Sequence, residues 1–268
     1  MINRIDKKFS DLKKAKKKAL VVFLTAGDPS LARTEALILE FERAGVDLIE
    51  IGVPFSDPLA DGPVIQASSM RALSRGVNLK KILAMTRRVR KRTSIPLLFM
   101  SYLNPIAHYG EARFAKEAKA CGLDGVIIPD LPPEEGRDIA HTFRRHGLDL
   151  VYLLAPTSTA RRQRLITQAS RGFVYFVSMT GVTGVKHALS GAVLKQVERL
   201  RKVSTRPICI GFGISTPDQA RAAARAGDGV IVGSAIVKAL HENPSLSPAA
   251  FVRRFISPIA QALGKRRT

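Results

Sequence analysis

Eight short, nearly continuous apolar runs punctuate the chain. They are ALVVFL from Ala19, LIEIGV from Leu48, PLLFMSY from Pro96, GVIIPD from Gly125, LVYLLAP from Leu150, FVYFVS from Phe173, PICIGF from Pro207 and GVIVGS from Gly229. Runs of this length, bounded by Gly, Pro, Asp and Ser, predict buried strands. Between them apolar residues recur at three-to-four spacing, which predicts helices over 32–44, 79–91, 111–120, 134–145, 160–170, 192–202, 217–226 and 248–263. Two more helical stretches flank this series. One covers 1–18, a charged surface helix with Ile5, Phe9 and Leu12 on a single apolar stripe; the other lies between Pro63 and Gly76 as an insertion after the second strand.

Apolar strands alternating with amphipathic helices imply parallel strands covered by helices on their outer face. Eight such units, without an internal linker, fit one closed (β/α)8 barrel domain over 1–268. A doubly wound open sheet is the rival, but the turn after the first strand reads TAGDPS and has no GxGxxG spacing. In a barrel the active site lies at the C-terminal ends of the strands. Those ends read TAGDP, GVPFSDPLADGP, SYLNP, PDLPP, APTS, SMTGVTG, GFGIS and GSAIV; the opposite junctions, such as AGVD, CGLDG, HGLD and AGDG, are plainer.

The second strand carries the most informative residue. Glu50 sits inside the apolar run LIEIGV, and no Lys or Arg lies between Asp47 and Met70 to pair with it. Side chains alternate along a strand, so if Ile49 and Ile51 pack on the outer helices, Glu50 points into the barrel. Burial there raises a carboxyl pKa and lets the group hold or release a proton near neutrality. Asp61 follows on the loop that leaves the same strand, where a wetter setting keeps it ionised. Two carboxylates in different environments are suited to acid–base chemistry. The plain alternative is that Glu50 pairs with a distant base or fills a barrel layer. Asp130 ends the fourth strand as either a turn former or a supporting acid. Phe23, Tyr175 and Phe212 lie where they can line a flat apolar substrate or simply pack.

The last strand ends are rich in glycine: Gly181 and Gly184, Gly211 and Gly213, then Gly233 with Ser234 at the opening of a short helix. Backbone N–H groups at a helix start suit an anion, and three such loops converging predict a phosphate site. The five histidines show no paired ligand spacing, so no metal is expected, and the two cysteines are expected as reduced thiols in the cytoplasm. No apolar run is long enough for a membrane span, and the N-terminus lacks a signal-peptide pattern. The net charge of +21 raises nucleic acid as a partner. Its basic runs are dispersed and have no interleaved aromatics, so no nucleic-acid function is expected.

Taken together, LIEIGVPFSDPLADGPVIQ, MSYLNPI, IIPDLPPEE, SMTGVTG, GFGIS and GSAIV resemble the tryptophan synthase alpha subunit family, over essentially the whole chain. The resemblance implies a (β/α)8 barrel with an added N-terminal helix. It implies a lyase that cleaves indole-3-glycerol phosphate to indole and glyceraldehyde 3-phosphate by a retro-aldol reaction. No cofactor is implied in this chain; pyridoxal phosphate belongs to the beta subunit that receives the indole in an alpha2beta2 complex. By the same resemblance Glu50 is the central acid–base and Asp61 binds the indole N–H. Thr183 closes a mobile loop over the site, and Phe23, Tyr102, Tyr175 and Phe212 surround the substrate. Gly184, Gly213, Gly233 and Ser234 hold its phosphate, and the PFSDP and YLNP loops face the partner. The competing expectations are a non-catalytic barrel that only activates a beta subunit, and another barrel enzyme acting on a phosphorylated substrate.

Overall fold

The computed structural model describes residues 3–177, 191–211 and 213–265. Its sheet contains nine short parallel strands: β1 (Ala19–Thr25), β2 (Leu48–Gly52), β3 (Leu97–Met100), β4 (Gly125–Ile127), β5 (Asp149–Val151), β6 (Leu153–Leu154), β7 (Val174–Val177), β8 (Ile208–Gly211) and β9 (Gly229–Val232). They are ordered β5-β4-β3-β2-β1-β9-β8-β7-β6. The two ends of that order are adjacent in the chain and separated only by Tyr152. The Tyr152 carbonyl accepts from the Tyr175 N–H (3.1 Å), while its own N–H is taken by Ser170 Oγ (3.1 Å). One expected strand is thus split into β5 and β6 by a side-chain hydrogen bond, and the barrel closes through it.

Strand alternation divides the interior into two layers of apolar packing. Ile49, Ile51, Leu97, Phe99, Val126 and Phe176 face outward and pack with helix residues such as Phe41, Phe114 and Phe143. Val21, Leu48, Leu98, Ile127, Val151, Tyr175, Cys209 and Ile231 face inward. This inner layer also includes Ile5, Phe9 and Leu12 from the helix Arg4–Lys14. That helix is therefore a plug rather than a surface element: its stripe seals the N-terminal end of the barrel, with Phe9 against Phe173 at 5.7 Å between ring centres. Each such apolar side chain contributes roughly 1.5–3 kcal/mol by leaving water. Asn3 starts the helix by accepting from the Ile5 N–H (3.0 Å) and donates to the Asp124 carbonyl (2.8 Å), which anchors the plug to the barrel rim.

Three local departures from the sequence pattern have plain causes. YLNP was expected only as a strand end, yet Leu103–Tyr109 is helical, because both Asp130 carboxylate oxygens accept from the Leu103 N–H (3.0 and 3.2 Å) and stabilise its first turn. The stretch expected as one helix over 248–263 is two, Pro248–Phe255 and Ser257–Ala262, since Pro258 has no N–H to continue the first. The helix expected from 134 begins at Arg137, after a turn. Among the described residues no helix is long and apolar enough to cross a membrane.

Candidate active site

Glu50 lies in the middle of β2, between Phe23 of β1 and Leu98 of β3 in register. Its neighbours Ile49 and Ile51 belong to the outer layer, so its own side chain enters the barrel. It is fully buried, and neither carboxylate oxygen has a hydrogen-bond partner among the described residues. Burial alone pushes its pKa up to about 8. Glu50 therefore carries its proton at neutral pH and gives it up within a unit or so of it, the condition a general acid–base needs.

Phe23 and Tyr175 flank this carboxyl on the inner wall. Both occupy space that a neighbouring strand leaves open. A Cβ on Gly52 would come within 2.5 Å of the Phe23 ring, and one on Gly211 within 2.5 Å of the Tyr175 ring. The sequence pattern suggested neither role: Gly211 was grouped with the phosphate loops and Gly52 was read only as the end of a strand. What they do is leave room for the two aromatic rings on the inner wall. Tyr175 is close enough to both carboxylates that Glu50 and Asp61, after burial, raise its hydroxyl pKa.

Asp61 stands on the loop above. The loop is folded by its own backbone, with Leu59 N–H to Asp57 O and Asp61 N–H to Pro58 O, both 3.0 Å. The Gln66 amide donates to the Asp61 carbonyl (2.9 Å). Tyr102, at the end of β3, ties the loop down from the other side. Its hydroxyl accepts from the Ala60 N–H (2.9 Å) and donates to the Asp61 carboxylate. The setting is drier than the sequence suggested: burial raises the Asp61 pKa to about 6, with the Tyr102 hydrogen bond opposing the rise. Asp61 is still mainly ionised at neutral pH. Asp28, which the sequence pattern did not single out, braces the following helix, accepting from Arg71 (2.6 Å) and Ser68 (2.6 Å). Its only sequence signal was its place in a strand-end loop.

On the same rim, one strand beyond β1 from Glu50, Gly233 precedes the helix Ser234–Glu242, whose Ile236 N–H closes on the Gly233 carbonyl (2.8 Å). Gly233 lies against Phe23, 3.4 Å from where a Cβ would be. Gly213 has φ +75°, a left-handed turn that favours glycine. Exposed Ser234 and the first-turn N–H groups of this helix form an anion-compatible end. Gly181, Thr183, Gly184 and Phe212 lie outside the described residues. Asp130 is accounted for as the partner of the Leu103 N–H.

Comparison with known proteins agrees along the chain. A family model described as tryptophan synthase alpha chain matches residues 9–259. The tryptophan synthase alpha chain of Geobacter sulfurreducens is 50% identical over 263 residues, 98% of this chain and 100% of that protein. That of Geotalea daltonii is 52% identical over 237 residues, 88% and 90% of the two chains. Among solved structures, the tryptophan synthase alpha chain of Legionella pneumophila subsp. pneumophila superposes with a TM-score of 0.90 at 37% identity, covering 98% of each chain.

Proposed function

The chain belongs to the tryptophan synthase alpha chain family, whose reaction is cleavage of indole-3-glycerol phosphate to indole and glyceraldehyde 3-phosphate, and from that membership we propose how its residues share the work. Glu50 is the acid–base. It starts protonated and delivers its proton to C3 of the indole ring. The carboxylate left behind takes the proton from the side-chain hydroxyl next to the scissile bond. The carbon–carbon bond then breaks, its electron pair returns to the ring, and the hydroxyl carbon becomes the aldehyde. Proton and electron counts close without an external oxidant, reductant or cofactor, so the two carboxylates supply what this chain needs; pyridoxal phosphate belongs to the beta subunit. Asp61 accepts from the indole N–H and stabilises the positive charge that C3 protonation creates. Tyr102 holds Asp61 in place, while Phe23, Tyr175 and Phe212 enclose the ring. The phosphate rests on Gly213, Gly233, Ser234 and Gly184. Thr183 shields the site.

The beta subunit is the partner, and the loop that carries Asp61 is where it docks. Leu59 on that loop is 79% exposed and Met70 on the following helix 54%, two of the few large apolar side chains facing water among the described residues. The whole chain acts as one domain in the cytoplasm. The observation that carries the reading is the buried Glu50 carboxyl, without a hydrogen-bond partner among the described residues, on the inner wall beside Phe23 and Tyr175. Its test is indole release by Glu50→Gln, which keeps shape and removes titration. The expected loss is at least about a hundredfold, with substrate binding little changed; turnover within a few-fold of wild type would overturn the assignment.

A further inference from the structure

At the end of the barrel away from the carboxyl pair, a groove of about 610 Å³ runs between the plug helix and the turn that leads into β8. That volume is in the range of a small-molecule site. Its walls carry Lys13, Lys16, Lys17, Lys18, Arg201 and Arg206 against two carboxylates, Asp6 and Asp228. Arg201 pairs with Asp228 (3.0 Å), Arg206 stands 3.9 Å from Asp6, and Lys18 donates to the Gly227 carbonyl (2.7 Å). Lys13, Lys16 and Lys17 make no ion pair among the described residues. The cations press on one another: burial first, then Arg201, lowers the Lys18 pKa. The turn that gathers the lysines is itself unusual. Lys16 has φ +54°, a left-handed position after the plug helix that glycine would occupy at less cost. The Lys17 N–H reaches back to Leu12 O (2.9 Å) to close it.

We propose that this groove is a second anion site, built for a group with two contiguous phosphates, either inorganic pyrophosphate or the phosphate tail of a nucleoside diphosphate. The surplus of cations over carboxylates decides the class. One phosphate, of charge about −2, leaves half the surplus unmet, whereas two in a row meet it. The lysines supply adaptable point charges on one wall, the arginines planar donors on the other. The groove is concave and bounded by the plug helix, which suits a compact ligand better than an extended strand.

The test is calorimetric titration of the full chain with pyrophosphate, ADP, orthophosphate and a short oligonucleotide at a fixed ionic strength of about 0.15 M, where surface charge is screened. It is repeated with the other end of the barrel filled by glycerol 3-phosphate. One pyrophosphate per chain is expected to bind in both cases, more tightly than orthophosphate. ADP binding as well as or better than pyrophosphate identifies the nucleotide as the source; weaker ADP binding identifies the inorganic ion. Lys16→Gly removes a cation while relieving the left-handed turn. It is expected to weaken pyrophosphate about fivefold with unchanged or higher thermal stability and unchanged indole release. Loss of binding when glycerol 3-phosphate is present, equal affinity for orthophosphate, a stronger response to an oligonucleotide than to pyrophosphate, or unaltered affinity in Lys16→Gly would each overturn the site.

Discussion

The two ends of this barrel treat a buried carboxylate in opposite ways. At the N-terminal end Asp124 is 1% exposed and fully engaged: it accepts from the Leu97 N–H (2.9 Å), Arg90 (2.9 Å) and Arg4 (2.8 Å). Asp47 accepts from the Leu20 N–H (2.8 Å) and from Lys265, and half-buried Asp228 from the Ile208 N–H (3.0 Å) and Arg201 (3.0 Å). Each holds the start of an adjacent strand and neutralises a cation. Glu50, deeper in the barrel, has neither kind of partner among the described residues. A carboxylate with its hydrogen bonds filled is a fastener; one left without them keeps a proton that it can trade. The difference lies in the surroundings, since the functional group is the same.

The largest effect is expected at the fastened end. Asp124→Ala leaves Arg90 as a largely buried cation and the Leu97 N–H without its acceptor, which costs roughly 3–5 kcal/mol. Urea unfolding measures this, and the folded fraction is expected to release indole at the wild-type rate. A rate defect beyond the loss of folded protein would break the division between the two ends.

Glu50 is expected to act on stability with the opposite sign. Below its ordinary pKa of 4.5 both folded and unfolded chains hold the proton, and the group costs nothing. As pH rises toward about 8 the unfolded chain ionises and the folded chain does not, so stability falls across that window. Glu50→Gln is expected to remove this fall, leaving the variant more stable than wild type at pH 8 by on the order of a few kcal/mol, while its cleavage rate collapses. Parallel unfolding curves for the two proteins between about pH 5 and about pH 8, the span of the two pKa values, would mean that Glu50 is paired after all.

Tyr102→Phe tests the intermediate case, a carboxylate with one neutral partner. Without the hydroxyl the Asp61 pKa moves above about 6, so less of it is ionised at neutral pH. Cleavage is expected to drop about fivefold, near 1 kcal/mol for one hydrogen bond, and the deficit is expected to shrink as pH rises and Asp61 ionises regardless. A deficit independent of pH would assign Tyr102 to packing alone.

Asp149 provides the smallest and sharpest contrast. It stands at the fastened end, yet its Oδ2 is buried without a hydrogen-bond partner among the described residues, and burial together with nearby Asp6 raises its pKa to about 7. If a missing partner were enough to make a catalyst, it would be one. It is far from the aromatic pocket, at the foot of β5. Asp149→Asn is therefore expected to leave the rate within about twofold and to raise stability above pH 7 by about 1 kcal/mol, allowing for solvent screening. A rate loss would show that the two ends are coupled.

Much of this architecture was legible in the chain itself. The alternation of apolar runs and amphipathic stretches determined the parallel barrel, and the two-residue strand period placed Glu50 on its inner wall, because both patterns depend only on nearest neighbours along the backbone. The same local reading misjudged the junctions AGVD, CGLDG and AGDG as plain. Their aspartates hold the barrel together through Lys265, Arg90, Arg4 and Arg201, residues brought in from distant parts of the chain. Tertiary structure alone decided that Glu50 meets no such base among the described residues, and that Tyr102, just past β3, reaches across to Asp61. It also decided that Gly52 and Gly211 clear room for two rings, and that lysines near position 16 face arginines near position 206. Periodicity says which way a side chain points. What it then finds there is set by folding that brings together segments a hundred or more residues apart, and that encounter separates a fastener from a catalyst.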